Sequence, residues 1–253
     1  MSVSRTVLWS MLAMLVPVVA AQAETQTPRF SDHLQPMNDP YTDDPLGYDE
    51  AVRRVLLAGQ PAAAELQMLI LPSYPSHAVE ELVAVRAKGT ELVVEHVKLK
   101  DPLWKAVSQE RERLRQKGVH AAKDIAAALA SVNVAARRTA APIDGALLAA
   151  LKGVWNDRLV DSVRWGPSRG RVLDGVRFQF AGRTADGRYR WATVTSPPGG
   201  SRCGRLIAIA EALSAFADAS PADRPPIARK ILEDAGALRE ELVDPRRDDL
   251  DDR

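Results

Sequence analysis

The stretch VRFQFAGRTADGRYRWATVT, residues 176–195, predicts a β-hairpin and decides the class of the fold. Apolar and polar side chains alternate on both sides of Asp186-Gly187, and Asp-Gly is a preferred pair for a tight hairpin turn. A second stretch, residues 81–99, is rich in valine on both sides of a turn at Lys88-Gly89. Strands joined by short turns run antiparallel, so the sequence predicts a largely antiparallel sheet built from hairpins.

Amphipathic segments predict helices near residues 102–117, 144–163, 202–217 and 226–242, because their apolar side chains recur three and four positions apart. Asp101, Asp144 and Ser201 stand where three of these helices begin, and all are good N-cap residues. The last two helices form a C-terminal pair. Hairpins mixed with helices predict a single α+β domain over residues 47–243, with helices packed on one face of the sheet.

The first 23 residues predict a cleavable signal peptide. Arg5 precedes an apolar run over residues 6–20, and Ala21-Gln22-Ala23 is a small-x-small cleavage site. The apolar run is shorter than the ~20 residues that a membrane-spanning helix needs, and no later segment is apolar enough. We therefore expect no transmembrane span after cleavage. Abundant alanine and a preference for arginine over lysine are typical of high-GC bacteria, so the expected location is a Gram-negative periplasm or the outside of the cell.

Two polar segments flank the predicted domain. Residues 24–46 contain several prolines and aspartates without a helical or strand period, which predicts an extended polar arm. Residues 244–253 are almost all charged or proline and offer nothing to bury, which predicts a disordered tail.

Charge and cysteine content argue against a general nucleic-acid-binding protein and against a protein stabilised by internal disulfides. The chain carries 34 basic and 33 acidic side chains, and removal of residues 1–23 takes away one arginine, which leaves a balanced charge. A balanced chain is not a general nucleic-acid binder, because that affinity comes from neutralised phosphates. The single cysteine, Cys203, cannot form an internal disulfide, so stability depends on a packed core.

The sequence carries no motif that identifies an enzyme. Its four histidines lack the spacing of metal ligands, and there is no C-x-x-C, no G-x-S-x-G and no phosphate-binding loop ending in G-K-[ST]. We therefore predict no metal and no cofactor.

Cys203 lies in a glycine-rich loop that runs into a helix, S196-P-P-G-G-S-R-C-G204. Three interpretations stay open. A thiol in the first turn of a helix is a candidate nucleophile, because the helix dipole favours the thiolate. The loop and Arg202 are a candidate anion site. Alternatively, Ser201 only caps the helix and Cys203 is a small buried side chain.

Arginines cluster around the last hairpin. Period-two alternation predicts that they share the sheet face opposite the aromatic side chains and leave a cationic platform. The candidate partner-binding residues are Arg169, Arg171, Arg177, Arg188, Arg190 and Arg202. The alternatives are an ordinary charged sheet face and a face covered by the acidic tail.

These observations predict an exported, non-enzymatic binding or interaction protein. Its expected partner is an acidic protein or an anionic component of the cell envelope, because guanidinium groups bind carboxylates and phosphates well. The alternatives are a thiol-dependent enzyme that uses Cys203 and a self-assembling envelope scaffold.

Overall fold

Seven strands form one antiparallel sheet in the computed structural model, which describes residues 33–37, 47–57, 64–72, 78–165 and 175–243. The strands are β1 (Gln35–Met37), β2 (Leu66–Pro72), β3 (Glu81–Lys88), β4 (Glu91–Leu99), β5 (Ala136–Pro142), β6 (Val176–Arg183) and β7 (Tyr189–Thr195). Their order across the sheet is β1-β7-β6-β2-β3-β4-β5, and each neighbouring pair is antiparallel. The two predicted hairpins are β3–β4 and β6–β7, and the predicted α+β class is confirmed.

Helices follow the strands in four places along the described chain. They are α1 (Tyr48–Leu56), α2 (Leu103–Gln116), α3 (Ala122–Leu129), α4 (Gly145–Trp165), α5 (Arg202–Asp218) and α6 (Arg224–Val243). Asp144 caps α4 by accepting a hydrogen bond from the Leu147 backbone N–H at 2.7 Å. Ser201 caps α5 in the same way, through the Gly204 N–H at 3.0 Å. The last two helices pack against each other as the predicted C-terminal pair.

The larger hydrophobic core lies between one face of the sheet and helices α4, α5 and α6. Trp155 of α4 meets Phe180 of β6 edge to face, with ring centroids 5.4 Å apart. Leu206, Leu213 and other side chains of α5 fill the space between the sheet and α6. This layer contains the helices that the apolar periodicity predicts most clearly.

A second core lies on the opposite face of the sheet, where α1, α2 and α3 pack. Leu69 of β2 and Leu82 of β3 point into this core, whereas their neighbours Met68 and Val83 point into the first. We predicted helices on one face of the sheet, and α4–α6 pack on one face. The structure adds α1–α3 on the opposite face. The apolar run L66-Q-M-L-I-L-P72 is nearly continuous rather than alternating, as expected for a strand that is buried on both sides.

One strand interrupts the predicted polar arm. Residues 35–37 form β1, which pairs with β7 at the edge of the sheet. Pro36 lacks a backbone N–H and is therefore tolerated in an edge strand but not in a central one. Three residues are too few to show a period in the sequence, which is why the arm was predicted to lack a strand.

Several predicted segments lie outside the described residues: the signal peptide (1–23), the rest of the arm (24–32 and 38–46), the tail (244–253), and Arg169 and Arg171. None of the helices in the described ranges is long and apolar enough to cross a bilayer.

Candidate ligand-binding cleft

The arginines of the last hairpin do not share one sheet face. The register pairs Ala181 with Trp191 and Arg183 with Tyr189, so both rings lie on the face that also carries Arg177. Arg190 pairs with Gly182 and lies on the other face, with Phe178 and Phe180. The predicted separation of aromatic from guanidinium groups is therefore wrong. Alternation fixes the faces within each strand, but the turn at residues 184–188 sets the register between the strands.

Each of these arginines also has a carboxylate partner. Arg177 pairs with Asp49 of α1 at 3.0 Å, and Arg190 pairs with Asp186 at 2.9 Å. Arg188 lies 3.8 Å from the same Asp186 carboxylate. Hydrogen bonds from Thr184, the Arg188 backbone and Arg190 hold the pKa of Asp186 at about 2, so this carboxylate stays charged. Among the described residues, Arg177 and Arg190 are thus paired within the domain and Arg188 shares the Asp186 carboxylate, so the hairpin arginines do not form one continuous cationic face.

Arg202 is likewise engaged within the protein. It is 8% exposed, and its Nε lies 3.5 Å from a carboxylate oxygen of Glu241. Arg205 contacts the other oxygen of Glu241. These contacts join the first turn of α5 to the last turns of α6, so Arg202 holds the helix pair together.

Cys203 lies in the first turn of α5 as predicted, but its side chain is 0% exposed within the larger core. The Nη2 atom of Arg158 lies 3.4 Å from the sulfur, and Arg158 also lies 3.6 Å from Asp161. His33 contacts the same Asp161 carboxylate, with its Nδ1 3.3 Å from Oδ2. The sulfur is therefore closed to solvent in this structure.

The glycine-rich loop before α5 folds back onto the helix instead of forming an open anion site. The Pro198 carbonyl accepts hydrogen bonds from the Ser201 backbone N–H at 3.0 Å and from its hydroxyl at 2.7 Å. Gly204 lies directly under Pro198 and Gly199, where a β-carbon would fall 2.8 Å from the Gly199 oxygen. The loop therefore serves as a packed cap for α5.

A buried ionic network centres on His96 of β4, which is 4% exposed. Its Nε2 lies 3.0 Å from Glu81 of β3, and its Nδ1 lies 3.1 Å from Asp218 at the end of α5. Both ring nitrogens face carboxylate oxygens, so the geometry favours the imidazolium form, which donates from both nitrogens. Burial alone lowers the pKa of His96, but the hydrogen bonds to Glu81 and Asp218 outweigh it and raise the pKa above the usual 6.5.

Further charged groups surround this network on three elements. Lys98 of β4 pairs with Glu81 at 2.7 Å, and Arg137 of β5 pairs with Asp218 at 2.5 Å. The hydroxyl of Thr139 also donates to Asp218. Glu211 of α5 lies near Glu81, and its pKa is raised by burial and by the Glu81 charge. The network ties the end of α5 to β3, β4 and β5.

We expect the stability of the protein to decline as pH rises through the raised pKa of His96. The folded state holds this proton more tightly than the unfolded state, so its contribution is complete below about pH 6.5 and is lost above the folded pKa. Urea unfolding from pH 6 to pH 9 measures the effect. His96→Gln should lose this part of the slope, whereas His120→Gln, which removes an exposed histidine, should keep it. Equal slopes in both variants would contradict the assignment.

A cleft of about 630 Å³ opens between α1, α2 and α3, on the face of the sheet that carries the smaller core. Its size falls within the ~300–1,000 Å³ of typical small-molecule sites. Trp104, Val107 and Arg111 of α2 line one wall, and Val119 and Ile125 contribute further apolar surface. The cleft therefore combines an apolar interior with a guanidinium group.

Glu80 fixes the wall of this cleft from below. Its fully buried carboxylate accepts hydrogen bonds from the backbone N–H groups of Leu103 at 2.7 Å and Trp104 at 3.0 Å. The hydroxyl of Tyr48, another lining residue, donates to the same carboxylate at 2.8 Å. Burial and the Glu80 charge raise the pKa of Tyr48 well above its usual value, so the phenol stays protonated and keeps donating.

This arrangement corrects the predicted start of α2. Asp101 was the expected N-cap, with Pro102 as the first helical residue. In the structure Pro102 is the N-cap residue and supplies no side-chain hydrogen bond, and Asp101 is exposed. Glu80, more than twenty positions earlier, fills the capping role, because a carboxylate held at a helix N-terminus satisfies free N–H groups and meets the positive end of the dipole.

Judged on the described residues alone, Arg111 is the one α2 arginine on the cleft wall that has no acid partner. Within the described part of the chain it forms no ion pair, and its Nη1 atom is buried without an acceptor. Arg115, which also lines the cleft, pairs with Glu112 at 2.9 Å. Hydrogen bonds from Gln116 and Arg115 lower the pKa of Glu112 and keep it ionised.

The sequence around Arg111 already indicates that this arginine has no acidic neighbour on its own helix face. The alternating charges of Glu110-Arg111-Glu112-Arg113 are typical of a solvated helix face, and Glu110 does pair with Arg113. Residues three and four apart are neighbours on a helix, and those around Arg111 are Val107, Ser108, Leu114 and Arg115. None is an acid, so the spacing alone predicts an arginine without a local partner.

No protein-family model, curated protein or solved structure matches this chain. Among the residues whose placement is described, no group of three or more His, Cys, Asp or Glu side chains could hold a metal ion. The fold and the cleft together define an α+β protein with a cavity suited to a small molecule.

Proposed function

We propose that this chain is an exported binding protein that catalyses no reaction and recognises an anionic partner through the cleft between α1, α2 and α3. The observation that carries the proposal is Arg111, a guanidinium on an apolar wall with no acid partner in the described ranges. Such a group favours an external carboxylate, phosphate or sulfonate, which it binds through two parallel hydrogen bonds. The predicted signal peptide at residues 1–23 supports export.

This proposal keeps the anionic partner inferred from the sequence and moves its site. The hairpin arginines support such a partner less well, because Arg177, Arg188, Arg190 and Arg202 already contact Asp49, Asp186 or Glu241. The thiol-dependent alternative gains little from a sulfur that is enclosed in the core. No contact in the described ranges favours a self-assembling scaffold.

Native mass spectrometry of the protein recovered from its own periplasm tests the proposal. We expect a chain that begins at Glu24 and carries a bound anionic molecule. Arg111→Glu should reduce the bound fraction about tenfold or more, because a carboxylate then faces the ligand. Arg229→Glu is the matched control, since it makes the same charge change on the exposed surface of α6. Equal occupancy in the two variants would place the site elsewhere, and a chain that retains residues 1–23 would argue against export by cleavage.

A further inference from the structure

We infer that the ligand of this cleft is an amphiphile with a single acidic group and an apolar body about 10 Å long, such as a medium-chain or aryl acid. The inference rests on the proposed function and names the chemical class of its ligand. It follows from the charges, the spacing and the lining of the cleft.

The charges favour one acidic group over several. Arg111 is the only cationic lining residue of α2 that lacks an acid partner in the described chain, because Arg115 is held by Glu112. Glu112 itself lines the cleft and stays ionised. A ligand with several negative groups would satisfy one at Arg111, and the described α2 wall offers no second unpaired arginine for the next.

The spacing along α2 sets the length of the ligand. Arg111 stands seven positions, or two helical turns, after Trp104, which corresponds to about 10 Å along the helix axis. Val107 lies between them on the same wall. An acid bound at Arg111 can therefore extend an apolar body past Val107 to the Trp104 ring.

The lining of the cleft favours an apolar body. Val107, Val119, Ile125 and Pro72 present aliphatic surface. Tyr48 directs its hydroxyl to Glu80 and so offers its ring to the cleft. Burial of apolar ligand surface against these walls contributes roughly 25 cal/mol per Å² before the costs of association are subtracted.

Tryptophan fluorescence of the full mature protein tests this class, with decanoate, decan-1-ol and citrate as probes. We expect decanoate to bind about tenfold or more tightly than decan-1-ol, because only the acid pairs with Arg111. Trp104→Phe should abolish the ligand-dependent signal. Arg111→Met should remove the preference for decanoate and keep the binding of decan-1-ol, whereas Arg229→Met should change neither.

The outcomes separate the inference from the proposed function. Circular dichroism and the urea midpoint establish whether each variant is folded. If Arg111→Met does not fold, Arg111→Gln takes its place in the experiment. Citrate binding that depends on Arg111, without decanoate binding, would overturn the amphiphile and leave the anion site. Equal affinity for decanoate and decan-1-ol in the unmodified protein would also overturn it. If neither the binding of any probe nor the occupancy of the natural ligand depends on Arg111, both the amphiphile ligand and the anion-binding cleft are overturned.

Discussion

Replacing Glu80 with alanine is expected to lower the free energy of unfolding by about 3 kcal/mol. Three donors lose their acceptor at once, namely the N–H groups of Leu103 and Trp104 and the hydroxyl of Tyr48. A buried donor left without an acceptor costs about 1–3 kcal/mol, and these donors are buried or partly buried. The start of α2 also loses the negative charge that faces its dipole. Urea unfolding at equilibrium, with the slope m checked for constancy, measures the loss.

Two further variants separate the contributions at Glu80. Tyr48→Phe removes one donor and leaves the carboxylate with its two backbone N–H partners, so we expect a loss of about 1 kcal/mol. Glu80→Gln keeps one acceptor oxygen and places an amide N–H₂ where donors converge, so its effect should fall between the other two. If Glu80→Ala cost no more than Tyr48→Phe, the carboxylate would not be the cap of α2.

Alanine at Gly204 and alanine at Gly236 are expected to change stability in opposite directions, although both glycines lie inside helices. At Gly204 the added methyl group would meet the backbone of Pro198 and Gly199, which cannot turn aside as a flexible side chain can. Overpacking of this kind typically costs 1–3 kcal/mol, so we expect a loss of about 2 kcal/mol.

Gly236 of α6 provides the control, because nothing lies within 4 Å of the position that its methyl group would take. Alanine there should raise the free energy of unfolding by up to about 1 kcal/mol, through the ordinary difference in helix propensity. Thermal and urea unfolding of the two single variants measure both effects. A stabilising Gly204→Ala would mean that the loop of residues 197–200 does not pack on α5 as described.

Local rules predicted the elements of this fold well. Asp144 and Ser201 cap their helices as expected, because a cap needs only a polar side chain three positions before the N–H that it accepts from. The turn around Asp186-Gly187 closes the β6–β7 hairpin, with Gly187 at a φ of 77° that favours glycine. In each case the partner lies within a few residues, so the sequence contains the whole interaction.

The failures concern partners that are distant along the chain. Asp101 is a good local cap, yet Glu80, the residue before β3, takes its place from a distant part of the chain. The arginines of β6 and β7 alternate correctly within each strand, and only the pairing of Ala181 with Trp191 shows that the two sets lie on opposite faces. Neither a cap from a distant part of the chain nor a register between strands can be derived from spacing along one segment.

The candidate site was missed for a related reason. Trp104 and Arg111 lie on a face of α2 next to the buried residues Leu103, Val107 and Leu114, and the sequence shows only that this face is mixed. A cleft forms there because α1 and α3 pack around α2 without filling the space between them. The lack of a local acid for Arg111 could be read from the sequence, but the cavity beside it could not.

The two helical layers differ in what they contain. The sheet separates the layer of α4, α5 and α6, where most of the large buried side chains reside, from the layer that holds the cleft. On the proposed function, substitutions along the cleft would alter which molecule is recognised, while the principal source of folding energy would stay untouched on the far side of the sheet. Such a scaffold is open to retargeting, by evolution or by engineering, provided that Glu80 keeps its place beneath the binding layer.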